Sequence, residues 1–181
     1  MESGPFKDLV VHMGPFSPTL ARSYAPIPDN AYDYNPRCLS RSLSPAVLGM
    51  LNNQARVDRM QASTTIRDWL AVMSPSESDQ AGSHGGGHRS VGGSMADFFA
   101  SPQDPSFMLH HAFIDRLWAQ WQDQDPVNRR NALNGTTVIY DPPDAPFVTL
   151  DTLVEFGQLS RPRKVETMMD PVKYGYCYIY T

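Results

Sequence analysis

Residues 104 to 122 leave the chain little choice of local structure. Asp104 offers a carboxylate to the free amides of a first helical turn, and Pro105 sits where no backbone donor is needed. Phe107, His111, Ile114, Trp118 and Trp121 then recur at spacings of three and four, which places them on one helix face through about Gln122. Met108, His110 and Leu117 lie near that face and widen the stripe.

The rest of the chain is less regular. Pro45 at a first-turn position, with Val47, Leu48, Met50 and Leu51 behind it, predicts a short helix. A second is expected from Thr65 to Met73 on the spacing of Ile66, Trp69, Leu70 and Met73, with Ser63 or Thr64 as its cap. Residues 1–43 read as an extended loop segment, because Pro15, Pro18, Pro26, Pro28 and Pro36 each remove a donor and fix φ. Residues 126–181 read as loops and short strands, with Thr136 to Tyr140 and Tyr176 to Tyr180 the best strand candidates. Sixteen prolines and twelve glycines in 181 residues fit long ordered loops around one domain with an apolar fraction, 41%, sufficient for a core.

A net charge of −4 gives no footing for binding a phosphate backbone, so nucleic acid is not an expected partner. No apolar run reaches the roughly 18 residues that cross a bilayer, so no membrane span is expected either. The opening Met-Glu-Ser-Gly-Pro-Phe has no signal-peptide pattern, and localisation stays open. Asn134-Gly135-Thr136 is a glycosylation sequon that matters only in a secretory pathway. Cys38 and Cys177 admit two readings, a pair of buried thiols or one disulfide tying the N-terminal loop to the C-terminal strand.

Four of the five histidines (His84, His88, His110 and His111) fall within 28 residues, and imidazole suits copper, zinc, iron and nickel. On a helix, His84 and His88 would project from one face and could share an ion. Against this, Gly85, Gly86 and Gly87 each cost such a helix roughly 1 kcal/mol relative to alanine, and the Ser/Gly-rich stretch from 74 to 94 reads on composition as a flexible linker. His110 and His111, being adjacent, point about 100° apart, so one would be a ligand and the other a packed or hydrogen-bonded neighbour. Asp115, four residues after His111, is placed either to orient a ligand imidazole or to pair with Arg89 or Arg116.

Taken together, H-x-x-x-H at 84–88, V-G-G-x-M at 91–95 and S-P-x-D-P-x-F-x-x-H-H-x-x-x-D-R-x-W at 101–118 resemble the copper-B region of tyrosinases and catechol oxidases, most closely the fungal branch. GPFKDLVVHMGP, NPRCL around Cys38 and the closing YCYIY resemble fungal members as well, so the similarity spans most of the chain. It implies copper ligation by His84, His88 and His111 within a motif region at 84–122. It also implies that His110 is the non-ligand neighbour, that Asp115 and Arg116 are the family's D-R pair, and that Phe107 packs on the ligand imidazoles. His12 falls outside the metal motifs and is expected to be structural.

The implied fold is mainly α: a tyrosinase-like copper domain, 1–181, in its C-terminal half, with two of four copper-holding helices, long loops and a few short C-terminal strands. Type-3 copper proteins use two coppers, three histidines each, with dioxygen to oxidise phenols and o-diphenols to o-quinones. Here His12 alone precedes His84, so the copper-A triplet is missing and one copper is expected per chain. The alternatives are a silent mononuclear copper-binding or interaction remnant, and a half-site completed by a partner chain supplying copper-A. Gly85 stands where tyrosinases often carry asparagine, which favours diphenol over monophenol chemistry; Glu77 lies near the family's helpful acid. A zinc hydrolase ranks low, since no glutamate stands beside the histidines. The faces of Phe107, Ile114 and Trp118, lacking their usual cover, predict an exposed apolar patch and poor solubility or oligomerisation.

Overall fold

The computed structural model describes residues 3–14, 33–75, 81–138 and 141–181. It is mainly helical, with α1 Pro45–Leu51, α2 Gln54–Gln61, α3 Ile66–Met73, α4 Ser83–Val91, α5 Ser106–Asp123 and a short α6 Pro126–Arg129. Among the described residues no helix is long and apolar enough to cross a membrane.

Local chemistry sets the helix starts. Ser44 accepts from the Val47 amide with Pro45 in the first turn, and Asn53 accepts from the Arg56 amide to open α2. The cap of α3 is Thr65, one to two residues later than expected. Its hydroxyl accepts from the Asp68 amide at 3.2 Å and donates to the Asp68 carboxylate at 2.7 Å, a reciprocal arrangement that Ser63 and Thr64 do not make. α5 begins at Ser106, and Asp104 accepts from the Ser106 amide at 2.8 Å.

The core forms where α2, α3 and α5 meet, around Met60, Trp69, Val72, Met73, Leu117 and Trp121. Trp121 is fully buried and donates its indole N–H to the Ser63 carbonyl at 2.7 Å. The stripe read from the sequence is off at one edge: Met108 is exposed and, with Leu109 and Phe113, forms the apolar outer side of α5. Ile114 and Trp118 are half-buried against the core instead of standing bare.

Strands are short. β1 Val10–Val11 pairs antiparallel with β2 Arg37–Cys38, and β3 Leu153–Val154 with β4 Arg163–Lys164. Thr136 makes a single bridge to Phe147, and residues 139 and 140 of that candidate strand lie outside the described residues. The segment Tyr176 to Tyr180 is not a strand. Positive φ at Tyr174, Gly175 and Cys177 breaks the pleat and turns its phenols toward α5. Cys38 and Cys177 are unlinked and exposed, so neither the buried-thiol nor the disulfide reading describes this structure.

Candidate metal centre

The Ser/Gly-rich stretch that composition marks as a linker contains the helix α4. Its glycines are explained by what lies against them. Ser83 donates its hydroxyl to the Leu51 carbonyl at 2.8 Å, and Asn52 donates back to the Ser83 carbonyl at 2.7 Å, lashing the end of α1 to the start of α4. At that crossing a methyl on Gly86 would come within 2.5 Å of the Leu51 side chain and overlap Asn52. One on Gly87 would overlap the His110 ring. Tertiary packing thus holds a helix that propensity alone would not. Gly85 is different: a methyl there meets only Ala81, at 3.9 Å. Gly85→Ala should therefore stabilise the protein by about 1 kcal/mol, raising the melting midpoint by roughly 2–4 °C. Gly86→Ala should destabilise it by about 1–3 kcal/mol through overpacking. Thermal melts of the two variants check this; equal shifts would contradict it.

α4 ends at Gly92, and Gly92 and Gly93 have φ of +66° and +53°. Side chains at either position would strike the carbonyls of Ser42 and Ser40, which run alongside. The turn delivers Met95, fully buried, beneath the site.

α4 and α5 bring three imidazoles together. His88 Nε2 lies 3.3 Å from His84 Nε2 and 3.3 Å from His111 Nε2, and all three ligand atoms fall within 4.8 Å of one another. His88 Nδ1 is 2.8 Å from the Met95 carbonyl, an acceptor only, so Nδ1 carries the proton and Nε2 presents its lone pair to the other two rings. Phe107 stacks on His111 at 4.1 Å and meets His88 edge-on at 5.8 Å. His110 packs beside the triad, 5.1 Å from the His88 ring, and places Nε2 2.9 Å from the His84 carbonyl.

Asp115 does not orient a ligand ring. Its carboxylate accepts from Tyr178 at 2.7 Å and Tyr180 at 2.6 Å, while Arg116 donates to the Thr181 carbonyl at 2.8 Å. Both phenols are held above their ordinary pKa, by burial first and then by the Asp115 carboxylate. Met95, Tyr178 and Tyr180 are site neighbours that the sequence reading missed. The only sequence signal for Met95 was its place in V-G-G-x-M, and its contribution is a backbone carbonyl. Glu77 lies outside the described residues. His12 stacks on Tyr34 at 5.0 Å.

The triad opens onto an apolar cavity of about 510 Å³ lined by Trp69, Leu70, His84, His111, Ile114 and Trp118, among others. Burial, reinforced by the neighbouring rings, pulls the His84 pKa down to about 4. Burial does the same to His110, also to about 4, and lowers His111. His84 and His110 are therefore neutral through the physiological range. In the unfolded chain they would protonate near 6.5, so between pH 6.5 and 4 the unfolded state binds more protons. Stability present above pH 6.5 is lost as pH falls toward 4. The loss should be on the order of 2–4 kcal/mol, discounted because both rings are partly solvated. Melts of the metal-free protein at pH 7.5 and 4.5 check it; an unchanged midpoint would contradict it.

Three imidazole nitrogens converging beside an apolar cavity are a donor set of the kind that holds a late first-row transition metal. The fold and this site define a helical domain with three histidines that could hold a metal ion. Residues 1–124 match the family model described as the common central domain of tyrosinase, and the chain belongs to the tyrosinase family. It is 49% identical over its whole length to "Tyrosinase P" of Aspergillus terreus and 49% identical over 98% of its length to "N-acetyl-6-hydroxytryptophan oxidase ivoB" of Emericella nidulans. The chain spans about half (51%) of each of these relatives. Among solved structures it is similar to a variant polyphenol oxidase from Thermothelomyces thermophila, with a TM-score of 0.84 and 29% identity over 99% of this chain and 50% of that one.

Proposed function

We propose that this chain provides the copper-B centre of a tyrosinase-type oxidase, with His84, His88 and His111 as the three ligands of one copper. The observation that carries this is the convergence of the three Nε2 atoms, with His88 held in the right tautomer by the Met95 carbonyl. When bound, copper supplies the one-electron redox chemistry that phenols and dioxygen need to react. The protein's own part is positional. Phe107 fixes the His111 ring plane, and the apolar wall of Trp69, Leu70, Ile114 and Trp118 keeps water from the donors while accepting a flat aromatic molecule. In the complete reaction two o-diphenols become two o-quinones while one dioxygen becomes two waters.

The chain has five histidines. His12 stacks on Tyr34 and His110 is engaged by the His84 carbonyl, so donors for a second copper have to come from outside these 181 residues. The reading is thus of a half-site that another segment or a partner chain completes, and a silent mononuclear copper domain is the alternative. A zinc hydrolase is disfavoured, because the carboxylate lining the cavity, Asp115, accepts from two phenols and is not free to act as a base.

The test joins this chain to the part of the Aspergillus terreus relative that it does not align with, loads the product with copper and assays catechol oxidation. The copper-loaded chain alone should oxidise catechol no faster than free copper, and the joined protein should do so in a His88-dependent manner. A joined protein that binds copper yet stays inert would favour the silent domain. Turnover by the chain alone would contradict the half-site.

A further inference from the structure

We infer that His110, seated in a notch created by Gly87, is the positioning residue that fixes how α5 presents His111 to His84 and His88. The inference rests on reading those three histidines as the copper triad.

The triad poses a mechanical problem. Three imidazole nitrogens sit 3.3 Å apart along two edges. The His88 Nε2 lone pair can accept from only one neighbouring ring at a time, so these two contacts alone do not fix how α4 and α5 sit against each other. Something must hold the two helices in register before metal arrives. His110 is built to do this. It is the residue next to His111, so a shift of one moves the other. Its Nε2 lies 2.9 Å from the His84 carbonyl, and since a carbonyl only accepts, Nε2–H is the donor. The bond therefore ties the α5 side chain to the backbone of the very residue that supplies a ligand on α4.

Packing reinforces the bond from both sides. The His110 ring lies nearly parallel to His84, with centroids 5.7 Å apart and planes 13° apart, and meets His88 edge-on at 5.1 Å. A Cβ at position 87 would overlap the Cε1, Nδ1 and Nε2 atoms of the ring. Glycine at 87 is therefore what lets the ring reach the carbonyl. The glycine weakens α4 as a helix, and the His110 bond recovers rigidity where the ligands sit.

Three variants of the full chain test this: His110→Phe keeps a flat ring without the donor, His110→Gln keeps a donor amide, and Gly87→Ala expels the ring. Cu(II) affinity is measured by chelator competition, and Co(II) substitution gives a visible spectrum that reports ligand geometry. Intrinsic tryptophan fluorescence checks folding. His110→Phe and Gly87→Ala should each weaken Cu(II) by about tenfold or more, in the range of lost orienting partners, and alter the Co(II) spectrum. His110→Gln should stay within a few-fold of the parent and retain its spectrum. Should His110→Phe fold poorly, the double variant Gly87→Ala with His110→Ala removes ring and notch together and should show the same loss. Equal affinity and an unchanged spectrum in His110→Phe or the double variant would overturn the inference alone. A parent chain that takes up no Cu(II) would overturn the copper reading, and this inference with it.

Discussion

Replacing His88 by alanine should weaken Cu(II) binding on the order of a thousandfold or more, beyond the ten- to hundredfold typical of losing an orienting partner. His88 is the middle member of the triad, since its Nε2 is the atom within 3.3 Å of both other ligand nitrogens. It is also the ring whose tautomer is pinned by a backbone acceptor, the Met95 carbonyl. Its removal leaves His84 and His111 without the nitrogen that lies close to both. A thousandfold loss corresponds to about 4 kcal/mol of binding free energy. His12→Ala, which alters only a ring stacked on Tyr34, should leave affinity unchanged and serves as the control. Chelator competition on both variants decides the matter; comparable losses in the two would sink the assignment of His88.

Asp104→Ala should cost the fold about 3 kcal/mol, at the lower end for breaking a buried ion pair. Asp104 has no solvent exposure, and Arg41 grips it with two hydrogen bonds of 2.9 and 2.6 Å. Burial alone would raise the Asp104 pKa, but Arg41 and the Ser106 amide outweigh it and hold the carboxyl below its usual value. The pair does two jobs. It caps the first turn of α5, and it fastens the segment whose backbone runs against Gly92 and Gly93. Arg41 remains a quarter exposed, so it can recover some hydration once its partner is gone, which keeps the expected cost near the low end. Denaturant unfolding measures it, and Asp104→Asn should fall between parent and alanine because it keeps one acceptor. A loss below about 1 kcal/mol would mean the pair acts as an exposed surface bridge.

The parts of this protein legible in its sequence are those encoded locally. The period of Phe107, Ile114, Trp118 and Trp121 pointed to α5, whereas spacing alone left His110 and His111 undecided, and it was the resemblance of the combined motif that singled out the three imidazoles the fold brings together. Composition misled at α4, because Gly86 and Gly87 are there for contacts with Leu51, Asn52 and His110, all distant in sequence. α2 escaped notice because its eight residues are mostly polar and only Met60 is buried. The role expected of Asp115 failed for a similar reason. Its partners, Tyr178 and Tyr180, lie 63 and 65 residues away in a segment whose alternation resembles a strand until positive φ at Cys177 breaks it. The group that orients His88 is a main-chain carbonyl, for which no side-chain pattern exists.

The most direct test of the central claim is the copper content of the purified, copper-reconstituted chain, measured by elemental analysis on the parent and on the His88→Ala variant. The account predicts about one copper per chain in the parent and almost none in the variant. Two coppers per parent chain, or one that survives the loss of His88, would contradict it.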